Sequence, residues 1–257
     1  MMRIEVEKPA GNSGLIMVFD GLLDPSVCSE LLVKLQSVWG SSHEGKTLGG
    51  VDFTVKTTED LHISEHAFNE NSLTWDNKFY ELEMAVTNSL SSAIAIYKQN
   101  YRHLDNWIGI QDTGFQVQKY YKNYGYYRPH VDSFPGSNVD NRVLATVVYL
   151  NDVDYGGETN FPLHEVKVTP KAGRIVLFPA VWTHLHESCV PLTGDKWIIS
   201  SFIENTNVNE IKKPVVPPNE NPTHDTDHPH DHPHTDIEDK FDPTDLFEWQ
   251  EPGVVNA

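Results

Sequence analysis

The chain has 257 residues, 39% apolar and 11% aromatic, which suits one folded domain with an appendage; sixteen prolines and sixteen glycines argue against an all-helical fold. A formal charge of −18 repels phosphate backbones and anionic lipid headgroups, so no nucleic-acid or membrane partner is expected. Cys28 and Cys189 are too few for a disulfide framework, and neither an export signal nor an apolar run of about 20 residues is present, so the expected protein is soluble and cytoplasmic.

Leu15 to Phe19 predicts a short strand, and Asp24-Pro25 supplies a cap followed by proline at the first position of a helix. Val27, Leu31, Leu35 and Val38 form its apolar stripe, with Gly40 as the stop. Residues 41–60, polar and carrying Gly45, Gly49 and Gly50, read as a connection or as a lid over a site. A second amphipathic helix is predicted from about Trp75 to Tyr101, carried by Phe79, Leu82, Val86, Leu90, Ala93, Ile94 and Tyr97.

After Trp107 the pattern changes to short strands at 115–121, 127–132, 144–150, 164–168, 173–178, 184–189 and 196–203. Gly156-Gly157-Glu158 reads as a tight turn into a strand. Leu144 to Leu150 and Ile175 to Phe178 are apolar on both faces, as expected where one face lines a barrel interior and helices cover the other. A mainly β sandwich or barrel with backing helices follows. From about Asn205 the chain turns to Pro, Asn, Asp and His, too poor in apolar surface to offset its ordering entropy. The expected division is a folded domain over residues 1–205 and a disordered acidic, His/Pro-rich tail over 206–257.

His130-Val131-Asp132 places an imidazole and a carboxylate two residues apart, on one face of an extended strand, where both can bind one metal ion. Two other His-x-Asp triplets, at His103 and His234, sit in a fraying helix end and in the tail. A third ligand is offered by His184 or His186, which share strand parity. A turn over Pro191 to Gly194 would set His186 opposite Lys196 in a hairpin. Two histidines and a carboxylate leave three positions open, the arrangement used by Fe(II) oxygenases. 2-Oxoglutarate can occupy two of them if a buried cation receives its far carboxylate, and Lys196 is the candidate.

Tyr121, Tyr127 to Asp132, Val148 to Asn151, Gly156 to Pro162 and His186 to Trp197 together resemble the prolyl 4-hydroxylase catalytic domain, over roughly residues 14–204, in the versions found in bacteria and their phages. The resemblance implies a double-stranded β-helix (jelly-roll, cupin-like) core. It selects His186 as the distal iron ligand, ten residues before the cosubstrate-binding Lys196, and Tyr121 as the tyrosine that helps hold the C5 carboxylate. Thr159 is a further candidate cosubstrate contact. The implied reaction is hydroxylation of an unactivated carbon, by default in peptidyl proline, with Fe(II), 2-oxoglutarate, O2 and ascorbate, giving succinate and CO2. Action on another protein residue or a small molecule is the alternative, as is a non-catalytic cupin-like metal-binding protein. Tyr124, Tyr126 and Trp182 are candidate aromatic walls for a proline-rich segment. The tract His224 to His234 is a second candidate metal binder, and Phe241, Leu246, Phe247 and Trp249 are candidate docking anchors.

Overall fold

The computed structural model describes residues 5–7, 14–63, 68–69, 74–102, 104 and 109–206. The chain separates into two units, Met1–Val216 and Pro217–Ala257. His103 and Asp105, the His-rich tract and the apolar positions near the C-terminus lie outside the described residues.

In chain order the elements are β1 (Glu5–Glu7), β2 (Met17–Asp20), α1 (Pro25–Val38), β3 (His43–Glu44), β4 (Lys56–Thr57), β5 (Glu59–His62), β6 (Phe68–Asn69), β7 (Thr74–Trp75) and α2 (Asn77–Asn100). There follow β8 (Ile110–Asp112), β9 (Gln116–Tyr120), β10 (Tyr126–His130), β11 (Arg142–Tyr149), β12 (Thr159–Phe161), β13 (Val166–Val168), β14 (Ile175–Pro179), β15 (His186–Ser188) and β16 (Lys196–Asn205). Both helices begin on aspartates whose carboxylates accept backbone N–H groups, Asp24 from Ser26 and Asp76 from Phe79. Among the described residues no helix is long and apolar enough to cross a membrane.

Two antiparallel sheets form the β fold. The larger runs β1-β2-β14-β11-β16-β9-β5-β3, with β8 added to β16; the smaller runs β13-β12-β15-β10-β4. Strand alternation feeds two apolar clusters. Leu144 and Val148 of β11, Ile175 and Leu177 of β14, and Ile199 and Ile203 of β16 pack under Leu31 and Leu35 of α1 and Phe79, Leu82, Val86 and Leu90 of α2. Ala145, Val147, Tyr149, Val176, Phe178 and Ile198 point the other way and meet Phe161, Val166 and Val168 from the smaller sheet. This is the double-stranded β-helix with backing helices, and it explains why β11 and β14 are apolar on both faces.

Two readings change. Residues 41–60 are not a bare connection: β3, β4 and the start of β5 are paired strands, and the polar Lys56, Thr57, Thr58 and Asp60 are buried. The His186–Lys196 hairpin does not form either. β15 pairs with β10 and β12, whereas β16 pairs with β11, β9 and β8, so the turn after Ser188 carries the chain from one sheet to the other. Local turn propensity cannot distinguish a hairpin from a crossover, because the partner strand is chosen by the packing of both sheets.

Candidate functional site

His130 ends β10 and stands directly opposite His186, the first residue of β15. Opposed residues on antiparallel strands present neighbouring side chains, and the two imidazole centroids are 4.3 Å apart. Asp132 follows β10 on a stretch pinned by the end of β14, since the Ala180 carbonyl accepts from the N–H groups of both Asp132 and Ser133. Its carboxylate oxygens lie 3.6 Å from His130 Nε2 and 3.4 Å from His186 Nε2. One ligand atom from each of the three side chains falls within 4.8 Å of the others.

Each imidazole is oriented from behind. His130 Nδ1 donates to the Arg128 carbonyl at 2.8 Å and His186 Nδ1 to the His184 carbonyl at 3.0 Å. A carbonyl only accepts, so both protons sit on Nδ1 and both Nε2 lone pairs face the common centre. Burial, reinforced by His186, holds the His130 imidazolium well below the ordinary histidine range, keeping the ring neutral. Burial also raises the Asp132 carboxyl, against the pull of His186, Arg142 and Lys56. Two imidazole nitrogens and one carboxylate in an otherwise half-buried pocket fit a divalent first-row metal such as Fe(II), with the remaining coordination positions open.

The cavity beside the cluster runs between the sheets and is lined by Tyr120, Tyr127, Thr159, Phe178, Ser188 and Ile198 among others. Behind two of these lining residues, Tyr120 and Ser188, Lys196 is 1% exposed. Its ammonium donates to the Gly157 carbonyl at 2.8 Å and to the Ser188 hydroxyl, and lies 4.1 Å from the centre of the Tyr120 ring. No carboxylate among the described residues forms an ion pair with it. Burial pushes this amine down to about 7. A buried cation with neutral partners is a receptor for an incoming anion, here the far carboxylate of a small dicarboxylate. Thr159, 5% exposed, sits in the same interior with its hydroxyl 2.6 Å from that of Tyr149.

The structure places Tyr121 elsewhere. Val117 and Phe115 face the helices, so the apolar face of β9 is the outer one, and the polar face of Gln118 and Tyr120 points into the barrel. Tyr121 donates its hydroxyl to Glu59 at 2.8 Å and stacks under Lys119 outside the cavity. Tyr120, 1% exposed, occupies the interior instead, its hydroxyl donating to Gln118 Oε1 at 2.7 Å. Strand alternation puts the two tyrosines on opposite faces but carries no sign, since both faces of β9 are covered; the polar residues mark the cavity side. His184 lies in a 3-10 turn, Trp182–His184, so it does not share a strand face with His186. Its ring is buried beside His164, and its contribution to the site is its carbonyl.

Trp182 is 73% exposed and Tyr124 61% exposed, while Tyr126 donates its hydroxyl to the Phe53 carbonyl and stacks with Arg128.

Fold and cluster define a double-stranded β-helix protein with a candidate mononuclear metal centre between its sheets. Residues 115–204 match the sequence model of the 2OG-Fe(II) oxygenase superfamily. Part of the chain is also similar in sequence to prolyl 4-hydroxylases. Probable prolyl 4-hydroxylase 9 of Arabidopsis thaliana is 30% identical over 115 residues, covering 36% of this chain and 39% of that protein. Prolyl 4-hydroxylase subunit alpha-3 of Bos taurus is 32% identical over 129 residues, covering 40% and 23%. The chain thus spans well under half the length of these curated relatives. Among solved structures, viral collagen prolyl hydroxylase from Paramecium Bursaria Chlorella virus-1, in its 2OG complex, superposes with a TM-score of 0.53 at 18% identity, covering 75% of this chain and 97% of that one. The prolyl hydroxylase from Trichoplax adhaerens, in complex with a hypoxia inducible factor peptide fragment, gives 0.58 at 18% identity, covering 76% and 85%. At that identity the likeness is one of fold.

Proposed function

We propose that this protein is a 2-oxoglutarate- and Fe(II)-dependent dioxygenase that hydroxylates proline in a peptide or protein. The observation that carries the reading is the convergence of His130, Asp132 and His186 with both Nε2 lone pairs facing one point, beside a cavity whose lining residues Tyr120 and Ser188 contact a buried lysine that has no carboxylate partner among the described residues. His130, Asp132 and His186 would hold the metal. Lys196 would receive the C5 carboxylate of 2-oxoglutarate, with Tyr120 and Thr159 beside it. When bound, iron with 2-oxoglutarate and O2 supplies the oxidising power, as the cosubstrate becomes succinate and CO2 and one oxygen atom enters the substrate C–H bond. The chain's own contribution is to keep both imidazoles aimed, to leave coordination positions open, and to keep water from a cavity walled by Phe178 and Ile198.

A peptide substrate is supported by the relatives' names and by the exposed Trp182, four residues before His186, which offers a flat apolar wall to an extended proline-bearing segment. Two unpaired cysteines, Cys28 and Cys189, support a reducing compartment. The test is succinate formation with Fe(II), O2 and 2-oxoglutarate against a panel of proline peptides, with and without ascorbate. Turnover is expected in the wild type and in His184→Ala, and loss of it in folded His130→Ala and Asp132→Ala. Full activity in either of the latter would remove the assignment.

A further inference from the structure

A buried ion pair lies next to the ligand set without belonging to it. Lys56 Nζ is 2.7 Å from Asp60 Oδ2, with the side chains 2% and 0% exposed. The other carboxylate oxygen of Asp60 accepts from Thr58 Oγ1 at 2.8 Å. Gly45 closes over the pair: a Cβ there would come within 3.0 Å of Lys56 Cε and 3.2 Å of Asp60 Oδ2. A pair so far from water is seldom the most stabilising filling for its volume, since apolar groups of similar size often do as well or better. Its position is therefore informative.

Lys56 stands directly opposite Tyr127 in the β4–β10 ladder, and Asp60 opposite Gln118 in the β5–β9 ladder, so the pair ties the smaller sheet to the larger one. Lys56 Nζ lies 5.3 Å from the centre of the Tyr127 ring. That ring stacks on the His130 imidazole, with centroids 3.5 Å apart and planes 14° from parallel. The stack exists because of a register shift in β10: Tyr127 faces Ser188 and His130 faces His186, three residues on one strand against two on the other. The shift brings side chains of odd spacing to one face. The hydrogen bond from Nδ1 to the Arg128 carbonyl sets the tautomer of His130 but does not stop the ring from tilting about that axis; the Tyr127 face does.

We propose that the Lys56–Asp60 pair is a positioning element for His130, acting through the Tyr127 ring that touches both. The inference rests on the reading of His130 as a metal ligand. It is tested with Co(II) titrated into the full-length apoprotein, followed by calorimetry and by the visible absorption of the bound ion. His130→Ala serves as the reference, so that binding by the histidines of the C-terminal tract is subtracted. In the double variant Lys56→Met/Asp60→Leu and in Tyr127→Leu, cluster-specific affinity is expected to fall about tenfold, the scale of outer-shell effects on metal binding. The absorption band should change shape, and combining the changes should add little further loss. Tyr127→Phe, which keeps the ring, should restore what Tyr127→Leu loses. If the apolar doublet does not fold, Lys56→Gln/Asp60→Asn takes its place, removing both charges but keeping a hydrogen bond. Wild-type affinity and band shape in the folded pair variant and in Tyr127→Leu would overturn the positioning role while leaving the ligand reading intact. Identical Co(II) binding by wild type and His130→Ala would overturn the ligand reading, and this inference with it.

Discussion

Lys196 shows how a single buried group ties stability to ligand binding. Its folded value of about 7 lies well below the usual lysine value of about 10.4. Between those values the unfolded chain holds a proton that the folded chain lacks, so ligand-free stability rises with pH across that window. A carboxylate arriving beside the amine favours its charged form. Binding of 2-oxoglutarate at about pH 8 is therefore expected to take up a proton, seen in calorimetry as a heat that varies with the buffer's ionisation enthalpy. Lys196→Met should abolish the uptake and weaken binding; a buffer-independent heat in the wild type would count against the anion-receptor role. The two adjacent tyrosines give a sharper contrast. Tyr120→Phe removes an interior hydroxyl and should raise the 2-oxoglutarate requirement. Tyr121→Phe should leave that requirement unchanged and cost about 1 kcal/mol of stability through the lost Glu59 contact, read from urea unfolding.

At the scale of elements, the helices were the most legible part of the sequence. Asp24-Pro25 marks the start of α1, and periodicity picks out the buried faces of both helices, because cap chemistry and 3.6-residue spacing are local properties. Seven of the eight strands after residue 115 were legible in approximate place; the three-residue β12 was not, although the glycine turn before it was. The short strands β3, β4 and β5 were not, since their glycines and charges look like loop: Gly45 is required by close packing, and Lys56 and Asp60 satisfy each other. The turn before β12 is a second place where backbone dictates residue. Gly156 has φ of 74°, and a Cβ there would sit 2.3 Å from the Val190 carbonyl oxygen. Gly156→Ala is expected to destabilise by about 2 kcal/mol or more. Because the neighbouring Gly157 carbonyl accepts from Lys196, the same change should also weaken 2-oxoglutarate binding. Unaltered denaturation midpoint and affinity would show that the turn relaxes freely.

For the molecule as a whole, the described β fold is complete by Asn205, where β16 ends. A chain ending at residue 206 is expected to keep Fe(II)-dependent succinate formation and its melting temperature, while the full-length protein binds additional metal through its C-terminal histidines. Loss of turnover on truncation would give the tail a part in the reaction. The sequence alone determined the fold class, the helix faces and the short list of candidate metal-ligating side chains, because spacing along a strand or helix decides which residues share a face. Only the tertiary structure decided which of those faces is the cavity, that β15 and β16 belong to different sheets, and that a register shift stacks Tyr127 on His130. Those choices depend on strand partners far away in the chain, and nothing in local spacing encodes which partner is taken.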